Sequence, residues 1–145
     1  MLVDLRGPAP RDFVGFAPLT EYVAIAIYNF TLQYDFKLVI AFHSQGEVIY
    51  WQFQNYNPPN AYNSGTKFSE ASGYLLDSTP YDSSFAGNKD WFIQDFNKPG
   101  YTIEVGLGTN PLSISQFDQI YKDNLGILIL GATLSLHIKN VKFFK

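Results

Sequence analysis

Tyr101-Thr102-Ile103-Glu104-Val105-Gly106 is the stretch on which the fold turns. It is a short β-branched and aromatic run that stops at glycine, which reads as a buried strand. One carboxylate, Glu104, stands near its end. A carboxylate on a core strand is costly unless it is paired, bound to a metal or used. Ahead of it, Asp90-Trp91-Phe92-Ile93-Gln94-Asp95-Phe96 supplies a dense apolar and aromatic lead-in. Far upstream a second apolar strand, Leu38-Val39-Ile40-Ala41-Phe42, ends in His43-Ser44-Gln45-Gly46-Glu47. An imidazole and a carboxylate therefore close two separate core strands, and these are parts that metal-assisted hydrolysis uses.

Working outward, Pro18-Leu19-Thr20-Glu21 reads as a helix start, with Thr20 as N-cap and Glu21 in the first turn. Val23, Ile27, Phe30 and Tyr34 follow at helical spacing and predict an inward face. A strand over Lys37 to Phe42 comes next, and Glu47 to Phe53 alternates as a second strand should. Asn55 to Asn63 reads as loop, Thr66 to Tyr74 as helix with Ser64 as candidate cap, and Asp77 to Asn88 as a long functional loop. Ser113 is placed to cap a last helix carrying Ile114, Phe117, Tyr121 and Leu125 inward. Alternating helix and strand predict an α/β fold, a mixed sheet with helices on both faces. The 145 residues are expected to form one partial domain, with an extended segment over 1–11 and a basic tail over 137–145.

Composition narrows the function. A net charge of −3 gives no electrostatic case for nucleic acid. Zero Cys excludes disulfides, thiolate catalysis and Cys-type zinc sites. No apolar run reaches membrane-spanning length, and Leu125 to Leu136, the nearest, reads as a buried helix end. The first ten residues lack the pattern of a signal peptide, so the expected location is the cytoplasm.

His43-Ser44, the segment Lys89-Asp90-Trp91 continuing through Pro99-Gly100-Tyr101-Thr102-Ile103-Glu104, and Pro18-Leu19-Thr20-Glu21 occur in one order at compatible spacings. Together they resemble the second half of the zinc carboxypeptidase family, in its bacterial branch of γ-D-glutamyl-diaminopimelate peptidases. The resemblance covers roughly Asp12 to Ala132. It implies that His43 is a zinc ligand, that Glu104 activates the zinc-bound water, and that Lys89 lies in the specificity pocket, where its ammonium suits a carboxylate on glutamate or diaminopimelate. It also implies a mobile Tyr over the substrate. Tyr81 is the candidate, one residue off the gapless count back from Trp91, which falls on Asp82.

Each residue has a plainer reading as well. His43 alone is a satisfied structural residue, Glu104 the partner of a distant Lys or Arg, Lys89 a solvated surface charge, and Trp91 a packing residue. Departures from the family are pronounced. The His-x-x-Glu motif that carries the other two zinc ligands does not occur, and the one further histidine, His137, is followed by Ile138-Lys139-Asn140. The family's Arg and Asn-Arg pair should precede Gly7. Val3-Asp4-Leu5 faintly resembles the Val-Asp-Leu-Asn segment that carries the pair, but Arg6 follows where Asn is expected.

Catalytic zinc uses three protein ligands and a water, so the isolated chain is expected not to hold zinc tightly or to hydrolyse peptides alone. The expectation is a truncated or degenerate relative. Its partners would be an acidic or diaminopimelate-containing peptide, and either a separate first-half polypeptide or a second copy meeting the uncovered edge of Lys37 to Phe42. A non-catalytic peptide-binding module and an inactive fragment that folds by association are the alternatives.

Overall fold

The computed structural model describes residues 17–81 and 87–137. The extended segment over 1–11 and residues 138–145 of the basic tail lie outside them. Two compact units are present, Met1–Phe36 and Lys37–Lys145.

In the first unit one helix, α1 (Tyr22–Gln33), is described. Its N-cap is Glu21, without a side-chain cap, and the Thr20 hydroxyl donates instead to the Ala17 carbonyl at 3.1 Å. Thr20 therefore does not cap this helix, because it stands one residue ahead of the N-cap position. The expected inward face is also corrected: Val23, Ile27, Phe30 and Tyr34 are all exposed. Phe30, Tyr34 and Phe36 pack their rings against one another at tilted angles instead of entering a core.

The second unit is a four-stranded mixed sheet flanked by helices. Its strands are β1 (Val39–His43), β2 (Val48–Tyr50), β3 (Leu75–Asp77) and β4 (Gly100–Glu104). Their order is β1-β4-β2-β3, with β1 parallel to β4, β2 antiparallel to β4, and β3 parallel to β2. Central β4 is the Tyr101 run, and side chains alternate along it with period two. Tyr101 and Ile103 enter a core with Ile49, Phe68, Tyr74 and Ile127. Gly100, Thr102 and Glu104 take the opposite face, where a Cβ at Gly100 would lie 3.1 Å from Lys89 and 3.2 Å from Ile93.

Helices α2 (Ala61–Ser72) and α4 (Phe117–His137) cover the first face, and α3 (Asn88–Phe96) the second. The α2–α4 contact is close because Gly126 stands against Ala71, where even a Cβ would come within 3.0 Å. At the core's edge, Asn124 donates to the Tyr74 hydroxyl at 3.1 Å and to the Ile120 carbonyl at 2.8 Å. The Tyr101 hydroxyl donates to the Ala61 carbonyl at 2.8 Å.

Several elements differ from the sequence reading. Helix α2 begins at Ala61, inside the expected loop, and Ser64 lies buried within it, so it caps nothing. Strand β3 and helix α3 are additional elements. Ser113 does cap, accepting from the Ser115 amide at the head of a 3-10 turn, Ile114–Gln116, that leads into α4. Ile114, Phe117, Tyr121 and Leu125 point outward, however, at 84, 58, 54 and 40 % exposure, and the inward stripe is Ile120, Asn124, Ile127 and Leu134.

Candidate functional site

His43 and Glu104 are register partners, the last residues of parallel β1 and β4. Neighbouring strands lie about 4.8 Å apart, and partners in a parallel pair point to the same face, so imidazole and carboxylate share one end and one side of the sheet. The chain itself builds this end. From His43 it crosses the end of β4 in four residues and descends as β2, where Val48 pairs with Glu104 from the other side. Gly46 lies at this crossing with a φ of +142°, a backbone that side chains rarely adopt. Its amide donates to the Gly106 carbonyl at 2.8 Å, and the Val105 amide to the His43 carbonyl at 2.8 Å.

A residue that sequence reading passed over closes the same clasp. Asn110 accepts from the Ser44 hydroxyl at 2.9 Å and donates to the Ser44 carbonyl at 3.1 Å. The loop after the histidine is thereby tied to the loop after the glutamate. No sequence signal marks Asn110, because its partner is 66 positions away.

Glu104 is partly buried, and this desolvation raises its carboxyl above the ordinary range, with the nearby His43 pulling the other way. No Lys or Arg among the described residues forms an ion pair with it. A carboxylate held half out of water beside an imidazole is suited to accept a proton. Zinc is a different matter. Among the described residues no three His, Cys, Asp or Glu side chains converge. The residues present therefore do not by themselves fit a catalytic zinc site.

Lys89 is not the solvated charge of its plainer reading. It is 3 % exposed in the first turn of α3. Its ammonium donates to the Gln52 carbonyl and the Thr79 hydroxyl, each at 2.9 Å, and meets Asp90 Oδ1 at 2.5 Å. The Asp90 contact is an ion pair off the hydrogen-bonding direction. Burial lowers the Lys89 pKa, and Asp90 opposes that shift. The side chain packs against Gly100, four residues and about 13 Å along β4 from Glu104.

Gln52 and Thr79 also line an open depression of about 310 Å³ with Gln54, Asn55, Ser78 and Tyr81. Lys89 thus braces the wall of a polar hollow into which Tyr81, 66 % exposed, projects. Trp91 packs as expected, edge-on to Phe96 with its indole N–H donated to Asp95 at 2.7 Å.

The site is thus an imidazole and a carboxyl group paired at the end of a mixed sheet, with a polar hollow whose wall is braced from the region of β4's start. Sequence comparison agrees with the resemblance: over most of its length the chain is homologous to a gamma-D-glutamyl-L-diamino acid endopeptidase, matching a part of it. It is 51% identical over 129 residues to gamma-D-glutamyl-L-diamino acid endopeptidase 1 of Lysinibacillus sphaericus, covering 88% of this chain and 32% of that protein. It is 40% identical over 121 residues to the uncharacterized protein YqgT of Bacillus subtilis, again 32% of that protein's length. The chain spans about a third of the length of both relatives. No family model matches it.

Proposed function

We propose that this chain carries one portion of a peptidase site that cleaves cell-wall peptides next to an acidic residue or diaminopimelate. The observation that supports this reading most is the register of His43 with Glu104, with the carboxyl of Glu104 raised by burial. In this proposal Glu104 is the general base that takes a proton from the attacking water, and His43 is the portion's single metal-ligating residue. The depression beside Tyr81 receives the substrate's diamino-acid side, and Lys89 braces its wall through Gln52 and Thr79. The remaining ligands come from sequence corresponding to the unmatched part of the relatives. Peptide hydrolysis therefore requires that sequence, and the chain alone is inactive.

The test is reconstitution. The chain is mixed with the unmatched part of the Lysinibacillus protein and assayed for release of diaminopimelate from a γ-D-glutamyl-diaminopimelate peptide. Activity should appear only in the mixture and fall by about 10³-fold or more in Glu104→Gln, as loss of a proton-transfer group demands. A mixture as active with Glu104→Gln as without it would overturn the assignment. The polar hollow supports a second reading, a module that holds peptides without cleaving them. Saturable peptide binding by the isolated chain, lost in Tyr81→Ala but not in Glu104→Gln, would favour it.

A further inference from the structure

His43 and Glu104 are the last register pair of the β1–β4 ladder, and the end of a ladder is where local opening begins. Beyond it the chain turns back through Ser44 to Gly46, and both His43 and Ser44 are exposed. The ladder alone therefore does not hold this pair still. The loop after Glu104 does, because it is gripped from two sides. On one side Asn110 accepts from the Ser44 hydroxyl at 2.9 Å and donates to the Ser44 carbonyl at 3.1 Å. On the other, Gln116 meets Leu107 as a strand partner would. Its side-chain amide donates to the Leu107 carbonyl at 2.9 Å and accepts from the Leu107 amide at 3.0 Å. Gly106 lets the loop lie against the residues around the head of α4, since a Cβ there would come within 2.8 Å of Leu112 and 2.9 Å of Ile120. Its φ of +66° is also one that glycine adopts without strain. Gln116 ends the 3-10 turn that Ser113 caps, directly before α4. A line of side-chain bonds thus runs from the head of α4, through this loop, to the residue beside His43.

We propose that Asn110 and Gln116 are positioning residues, which hold the loop after Glu104 to the loop after His43 and so fix the last register pair. The inference rests on the reading of that pair as part of a peptidase site, and it identifies what keeps the pair in place. Neither residue lines the polar hollow, whose walls are Gln52, Gln54, Asn55, Ser78, Thr79 and Tyr81. Their loss therefore acts on the reacting geometry and leaves the hold on substrate intact. A displacement of about 1 Å at a reacting group costs on the order of 100-fold in rate. Ser44 and Asn110 are both exposed, so the bonds between them carry little of the unit's stability. Position and stability are separable here.

Asn110→Ala and Gln116→Ala are each read in two ways. In the isolated chain, amide hydrogen exchange by NMR follows the two backbone bonds that cross the site, from Gly46 to the Gly106 carbonyl and from Val105 to the His43 carbonyl. Both amides should exchange about 10-fold faster, the scale of one or two lost hydrogen bonds. The amides of Tyr101 and Ile127 in the core should keep the parent rate, with the urea midpoint within about 0.3 M of the parent. Asn110→Asp keeps the acceptor for the Ser44 hydroxyl and loses the donor, and it should fall between parent and Asn110→Ala. In the mixture with the unmatched part of the Lysinibacillus protein, each alanine variant should lower kcat by about 10- to 100-fold with KM within about twofold of the parent. Unchanged exchange at Gly46 and Val105 overturns the proposal, as does a kcat equal to the parent's in an active mixture. So does faster exchange at Tyr101 and Ile127 with a lowered midpoint, which would mark a brace for the whole unit. A parent mixture without activity counts against the peptidase reading alone, and the exchange rates then decide the positioning role.

Discussion

Replacing Lys89 with Met tests how the second unit is held together and what that lysine does. In the folded chain the ammonium satisfies the Gln52 carbonyl and the Thr79 hydroxyl and neutralises Asp90, all inside a region that is nearly closed to solvent. Methionine keeps the bulk and removes the charge. Two hydrogen bonds are lost, and the Asp90 carboxylate is left buried without its cation. Breaking a buried pair from one side costs about 3–5 kcal/mol, against a total stability of roughly 5–15 kcal/mol. With an m value near 2 kcal/mol/M in urea, the unfolding midpoint should fall by about 2 M.

Fluorescence reports this directly, since the chain has two tryptophans, Trp51 and Trp91, and Trp91 lies one residue beyond the pair. The double variant Lys89→Met/Asp90→Leu removes both charges. It should recover only part of the deficit and stay about 2–3 kcal/mol below the parent, for the two hydrogen bonds that Lys89 no longer donates and the lost interaction of Asp90 with the α3 N-terminus. A lysine whose sole task is to read a substrate would leave stability untouched. A Lys89→Met midpoint within about 0.5 M of the parent (roughly 1 kcal/mol at that m value) would refute the buried-brace reasoning.

The other predictions concern the site and core. Because burial raises the Glu104 carboxyl, the folded chain keeps that proton to higher pH than the unfolded chain does. The stability this contributes is complete below the ordinary carboxyl pKa of about 4.3 and is lost as pH rises through the folded value. Urea midpoints of the parent minus those of Glu104→Gln should therefore decline above about pH 4, and a rising difference would contradict the burial argument. The isolated chain, dialysed against a chelator and measured by plasma mass spectrometry, should retain no stoichiometric zinc, since one imidazole and one carboxylate do not make three ligands. Tyr101→Phe should cost about 1 kcal/mol by removing the buried hydrogen bond to Ala61; an unchanged unfolding midpoint would show that bond to be idle.

What the sequence disclosed and what it concealed follow from how each element meets its neighbours. Strand β4 was legible because Tyr101, Ile103 and Val105 form a short aromatic and β-branched run that stops at Gly106. Its pairing with β1 was legible only through the motifs, because register is a long-range relation that local pattern does not encode. Helix α3 was obscured by Lys89: the face 89, 92, 93, 96 has helical spacing, but one of its members is a lysine made tolerable inside by Asp90 and Gln52. Helix α4 was found but turned the wrong way. A helix with two apolar stripes has the same periodicity on both, and aromatic weight favoured the stripe of Phe117 and Tyr121. The distinguishing signal was steric. Gly126 and Gly131 mark where the helix backbone presses on Ala71 and Ile40, so the small residues, rather than the large ones, identify the face that meets the core.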